Sequence, residues 1–266
     1  MKSRIFVAIP GIALAIAAIV IGNPAFAVIL ALVAMIAVFE YLNMVAPLDP
    51  VRWATYVGAA ITVLLPAVFG LLDLDLPVHG VVAGVVLSIA LGPIGGFMLR
   101  DRGEITMRIG VGVFGAIYIG LPLGLFVALR ELPHGAAAVT NILVGTWAFD
   151  TFAYAGGKMW GSHPVAPRTS PNKTIEGLVI GLVFGTLSVA LAGVYMDWLS
   201  LGDSLIIGLV VCAFAYLGDL FESMIKRDVG VKDSGSLLAG HGGVLDRFDA
   251  LFFTASAGYL VTLWIT

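Results

Sequence analysis

Residues 25–46 read AFAVILALVAMIAVFEYLNMVA, and Glu40 is the one charged side chain among them. A hydrocarbon core about 30 Å thick is crossed by about 20 mainly apolar residues at about 1.5 Å of helical rise each. The stretch is long enough to span. It lacks the sustained alternation of a membrane barrel strand, so it predicts a transmembrane helix. Comparable apolar stretches fall at residues 5–21, 53–72, 79–99, 109–129, 140–157, 174–196, 203–222 and 249–265. Together they predict an all-α fold, a polytopic integral membrane helical bundle of about nine transmembrane helices.

Composition agrees. Hydrophobic residues make up 60% of the 266, charged residues 12%, and mean hydropathy is +1.04. A soluble globular chain carries about 25% charged residues, so that class is excluded. The 33 glycines suit a bundle in which small residues let helix backbones approach. Cys212, the lone cysteine, excludes a disulfide framework or a Cys-rich metal site and reads as a small buried hydrophobe. Lys2 and Arg4 ahead of an apolar run, with Ala25-Phe26-Ala27 beyond it, imitate a signal peptide. Further spans follow at once, so a retained first helix is expected.

Charge distribution predicts orientation. With nine spans and the N-terminus inside, the inner segments carry Lys2, Arg4, Arg52, Arg100, Arg102, Arg108, Lys158, Arg168, Lys173, Lys226, Arg227, Lys232 and Arg247. Of the 14 basic residues only Arg130 falls outside, where the loops instead hold Asp73, Asp75, Asp197 and Asp203. Positive residues stay on the cytoplasmic side, so an N-in, C-out topology is expected. Residues 1–139 form an N-terminal set of about five spans. Residues 140–266 form a catalytic region whose loops, 158–173 and 223–248, face the cytoplasm. The location is then the inner (cytoplasmic) cell membrane, multi-pass, with its chemistry on the cytoplasmic side.

The richest chemistry runs from Asp219 to Asp249, DLFESMIKRDVGVKDSGSLLAGHGGVLDRFD. Asp219, Glu222, Ser223 and Lys226 stand at helical spacing on one face, as do Asp246 and Asp249. Carboxylates interleaved with Lys226, Arg227 and Lys232 suit a metal–polyphosphate site, since hard cations take oxygen ligands and basic groups neutralise phosphate. The Gly240-His241-Gly242-Gly243 turn allows close backbone approach to a phosphate. A solvated loop whose charges anchor helix ends is the plainer alternative, with Asp246 merely capping the last helix. Asp219, however, follows the apolar run Val210–Gly218 and is expected at or below the membrane surface, where ionised groups are costly and usually functional. Glu40 is read as lining a lipid site or as a paired interfacial acid. His79, His134 and His163 are read as isolated interfacial residues.

The segments Ser223–Arg227, Lys232–Gly235 and His241–Asp249 resemble the signature of the CDP-diacylglycerol synthase (phosphatidate cytidylyltransferase) family. Ala239 departs from that pattern, where Pro, Gly or Ser is usual, and it removes no charge. Asp150-Thr151-Phe152-Ala153-Tyr154 and Ser170-Pro171-Asn172-Lys173-Thr174-Ile175-Glu176-Gly177 are similar to a second family segment. The resemblance implies transfer of CMP from CTP to phosphatidate, giving CDP-diacylglycerol and pyrophosphate. It implies Mg²⁺ and a second cation of unspecified identity, with Asp219 and Asp246 as main ligands and Asp249 and Asp150 supporting. Asp219, Asp246, Asp249, Lys226, Arg227 and His241 are the expected catalytic set. Ser170, Lys173, Thr174, Ser223, Lys232, Gly242, Gly243 and Arg247 are the expected substrate-binding set, and the roles of the individual bases stay open. The implied partners are CTP, phosphatidate, the bilayer and a second copy of the chain in a homodimer, with no nucleic acid. Another lipid-phosphate transferase or kinase is the enzymatic alternative, though no Walker A loop or CDP-alcohol phosphotransferase motif is present. A transporter would instead place its charged groups near the bilayer midplane in repeated, broken helices.

Overall fold

The computed structural model describes residues 2–74, 76–99, 103–167, 169–235 and 242–266, with side chains described at Gly11 and from residue 13. Among them are nine α-helices: α1 (Lys2–Ile21), α2 (Ala25–Met44), α3 (Arg52–Leu71), α4 (Pro77–Phe97), α5 (Ile105–Glu131), α6 (Gly135–Trp160), α7 (Ile175–Tyr195), α8 (Leu201–Asp228) and α9 (Leu245–Ile265). A two-stranded antiparallel hairpin, β1 (Pro164–Ala166) and β2 (Ser170–Thr174), lies between α6 and α7. Among the described residues seven helices, α2 to α5 and α7 to α9, are long and apolar enough to cross a membrane. The chain is therefore a polytopic helical membrane protein, as its apolar periodicity predicts. Lys2, Arg4, Asp75, Arg100, Arg102, Arg168 and His241 lie outside the described residues or side chains.

The burial pattern is that of a lipid-facing bundle. On α7 the buried residues are Gly177, Gly181, Gly185, Val189, Ala190 and Gly193, while Val183, Phe184, Leu187 and Leu191 point outward. On α4 they are Gly80, Val81, Gly84, Ser88, Gly92, Gly95 and Gly96. A water-soluble helix would bury its large side chains. Here the small ones face protein and the large ones face outward, because lipid is as apolar as leucine and helix association depends on close contact.

The chain forms two compact units. The first comprises residues 1–132 and 233–247; the second comprises 133–232 and 248–266. The first boundary falls at Leu132-Pro133, and the loop 233–247 belongs to the unit formed by α1 to α5. Within that unit α3 packs against α2, α4 and α5. Thr62 on α3 is fully buried, donating to the Gly58 carbonyl (2.9 Å) and lying 3.1 Å from the Ser88 hydroxyl of α4.

In the second unit α6, α7 and α8 pack together. Phe149, Cys212, Ala215 and Ala250 form an apolar centre, so Cys212 takes the buried role expected of it. Buried Thr146 on α6 and Thr254 on α9 share a 2.9 Å hydroxyl contact.

The hairpin replaces part of what the sequence predicts as a loop. Pro164, Pro167 and Pro171 rule out helix there, since each lacks an N–H and biases its preceding residue to extended backbone. Glu176, in the first turn of α7, accepts from the Ser162 (3.1 Å) and His163 (3.3 Å) amides and pairs with the His163 ring at 2.6 Å. His163 is therefore tied to the hairpin base, contrary to its reading as an isolated residue.

The α3–α4 contact is testable. A Cβ at Gly84 would lie 2.5 Å from the Thr62 Cα, a backbone atom that cannot swing aside. Gly84→Leu is expected to cost about 1–3 kcal/mol or more through overpacking, read as a lowered melting temperature in detergent. An unchanged melting temperature would contradict this close approach.

Candidate active site

The second unit gathers five of its charged side chains around the C-terminal half of α8. Asp219, Glu222 and Lys226 fall on one helical face, as their spacing predicts. Lys173, near the end of β2, reaches Asp219 at 2.7 Å and stands 5.4 Å from the centroid of the Tyr216 ring. Glu222 is fully buried and lies 3.3 Å from the Lys226 ammonium, one turn on. Asp249, from the first turns of α9, comes within hydrogen-bonding reach of Glu222 and feels the charges of Asp219 and Lys226. Carboxylates so close repel one another, and a cation is the ordinary remedy.

Glu222 is a buried acid that sequence reasoning leaves without a role. Its signal was its spacing, three residues after Asp219 and four before Lys226; its complete burial is a tertiary fact. Ser223 is half-buried beside it, Lys232 is exposed, and Asp150 is exposed on α6. Arg227 is exposed and crosses to the hairpin, where its Nε donates to the Thr169 carbonyl at 3.5 Å.

Thr174 plays the part of a helix cap. Its hydroxyl oxygen accepts the Gly177 N–H at 3.2 Å and so opens α7. Ser170 stands opposite Ala166 in the hairpin register. The segment 170–174 is strand β2, and it brings Lys173 to Asp219.

The first unit holds Asp246. Its carboxylate accepts the Ser234 amide (3.2 and 3.0 Å to its two oxygens) and the Gly243 amide (2.8 Å). It thus caps the start of α9 and also closes the loop beginning at Ser234. Gly242 has φ +75°, a left-handed conformation that favours glycine, and a Cβ there would lie 2.6 Å from an Asp246 oxygen. Gly243 is buried against Glu40 and Ser234. Glu40 faces this loop, not lipid: its oxygens accept the Val244 and Leu245 amides at 3.0 and 2.7 Å. Arg247 is exposed in the first turn of α9.

No three His, Cys, Asp or Glu side chains among the described residues are grouped closely enough to form a protein-only metal cage. The donor chemistry still suits a hard cation. Mg²⁺ is commonly held by one or two carboxylates, with substrate phosphates and water completing its shell.

Comparison with known proteins shows what the chain is similar to. The profile of the cytidylyltransferase family matches residues 2–264. A phosphatidate cytidylyltransferase of Bacillus subtilis (strain 168) is 31% identical over 261 residues, covering 95% of this chain and 94% of that protein. One of Staphylococcus aureus (strain COL) is 34% identical over 272 residues, covering 95% of each. The chloroplastic phosphatidate cytidylyltransferase 4 of Arabidopsis thaliana is 34% identical over 296 residues, covering 97% of this chain and 72% of that protein.

The hairpin anchor is open to test. Glu176→Ala is expected to leave the helices folded while making residues 161–174 more sensitive to limited proteolysis. A digestion pattern identical to that of the unaltered protein would remove Glu176 from that role.

Proposed function

Because this chain belongs to the cytidylyltransferase family, we propose that it transfers the cytidylyl group of CTP to phosphatidate, forming CDP-diacylglycerol and pyrophosphate. The observation that carries this reading is the extent of the likeness: bacterial phosphatidate cytidylyltransferases align along nearly their whole length with nearly all of this chain. CDP-diacylglycerol would then supply later steps of phospholipid synthesis.

The residue chemistry supports such a transfer. A phosphate oxygen of phosphatidate attacks the α-phosphorus of CTP, and the bond to the bridging oxygen of the β-phosphate breaks as pyrophosphate leaves. The nucleophile is already anionic at neutral pH, so no strong general base is needed. The work is to bring two anions together and to stabilise charge on the leaving group. Lys173 and Lys226 neutralise phosphate oxygens; each is held beside a carboxylate before substrate arrives. Arg227, Lys232 and Arg247 are exposed, and on the resemblance they would bind phosphates and His241 would orient one. Mg²⁺ would be held in the second unit by Asp219 and Asp249, with Asp150 supporting, and would offset the charge developing on pyrophosphate. Asp246 remains a proposed ligand, and a homodimer the proposed assembly, on the resemblance alone.

Purified protein incubated with radiolabelled CTP, phosphatidate and Mg²⁺ tests the reading. A labelled lipid that requires both CTP and phosphatidate supports it; no labelled lipid overturns it. In that assay Lys173→Ala should raise the KM for CTP roughly ten- to a hundredfold, since each tenfold is about 1.4 kcal/mol. Its melting temperature should fall little. A wild-type KM would take Lys173 out of the phosphate site.

The orientation proposed for the membrane is N-in and C-out, with the nucleotide handled on the cytoplasmic side. It is supported by the segregation of basic residues. A reporter fused after Thr266 is expected to be active only outside the cytoplasm, and cytoplasmic activity would overturn the nine-span count.

A further inference from the structure

Glu40 lies near the C-terminal end of α2 and is 3% exposed. A carboxylate buried there is costly unless donors meet it. Both its oxygens are met from more than 200 residues along the chain: Oε1 accepts the Val244 N–H at 3.0 Å and Oε2 the Leu245 N–H at 2.7 Å. These amides open α9, where a helix has no carbonyl of its own to offer and where the positive end of its dipole lies. Glu40 is a helix cap supplied by another helix.

The loop is shaped to receive it. A Cβ at Gly235 would lie 2.7 Å from Glu40 Oε1, and one at Gly243 would lie 2.5 Å from Oε2 and press on the Ser234 hydroxyl. Bare backbone at these two positions lets the carboxylate in. Asp246 follows Leu245 directly and uses its own carboxylate to hold the Ser234 and Gly243 amides. Two acids therefore hold four backbone donors, Asp246 those of Ser234 and Gly243 and Glu40 those of Val244 and Leu245, which fastens the start of α9 to α2.

We propose that Glu40 is a positioning residue for the cytidylyl transfer proposed above. It sets the first turn of α9, and with it the Asp246 carboxylate, without touching substrate. The inference rests on that functional reading and on Asp246 acting through a cation. A carboxylate that served stability alone would also be capped in this way, so the two differ in what the folded variant does.

The test uses the full-length protein in detergent with Glu40→Gln, which keeps shape but turns an amide N–H₂ toward one backbone N–H, and Glu40→Asp, which is too short to reach both. In Glu40→Gln the Val244 and Leu245 amides should exchange with deuterium at least tenfold faster. The Mg²⁺ concentration giving half-maximal CDP-diacylglycerol formation should rise about tenfold, with Glu40→Asp intermediate. If Glu40→Gln does not fold, Gly235→Ala, which leaves Glu40 in place but crowds Oε1, carries the same two measurements. Unchanged amide exchange would overturn the proposal. So would a lowered melting temperature with wild-type Mg²⁺ dependence in the folded fraction, because that is stability alone. Absence of CDP-diacylglycerol with the wild-type protein would instead sink the functional reading. The exchange measurement would then still show whether Glu40 holds α9.

Discussion

A carboxylate inside a membrane-spanning bundle has to find its donors within the chain, because neither lipid nor bulk water supplies them. This constraint organises the polar parts of the molecule. Glu40 takes the first amides of α9, and Asp246 takes those of Ser234 and Gly243. Glu222 takes Lys226, and Asp219 takes Lys173. Glu40 and Asp246 give the start of α9 a fixed seat and Asp219 gives β2 one, while the Glu222–Lys226 pair stays within α8.

Small residues make those seats reachable. Glycine on the inner face of α4 lets it approach α3 closely, and glycine on that of α7 lets it approach α6 and α8. Gly235 and Gly243 serve the same end on a smaller scale, since a single added Cβ at either would occupy the space of the Glu40 carboxylate. Apolar bulk meanwhile faces outward, as at Leu191 and Trp264, where it costs nothing in a bilayer.

The chemistry of the candidate site is partly legible in the sequence. Asp219 and Lys226 stand out because charge is rare in this chain and their spacing puts them on one helical face. Lys173 stands out through its segment, but nothing in the spacing says that it meets Asp219 or that a strand carries it there. The spacing shows Glu222 as a neighbour of Asp219 and Lys226 but not its burial, which depends on what packs over it. Glu176 and His163 were read separately, although together they tie down the base of the hairpin. Even the prolines that exclude helix at 164–171 do not say which strand pairs with which.

Local order was the readable part. Runs of apolar residues fix helices through backbone hydrogen bonds that close within four residues, and a membrane leaves a chain few other choices. Helical character, the lipid-facing class and the faces on which the acids of α8 lie all follow from such short-range rules. The family signature adds the kind of chemistry. Pairings between distant residues follow no such rule. That loop 233–247 joins the unit of α1 to α5, that Glu40 is its anchor, and that Lys173 answers Asp219 were decided when the helices packed. Each depends on which backbone donors and cavities the packed helices present, and those exist only in the assembled fold.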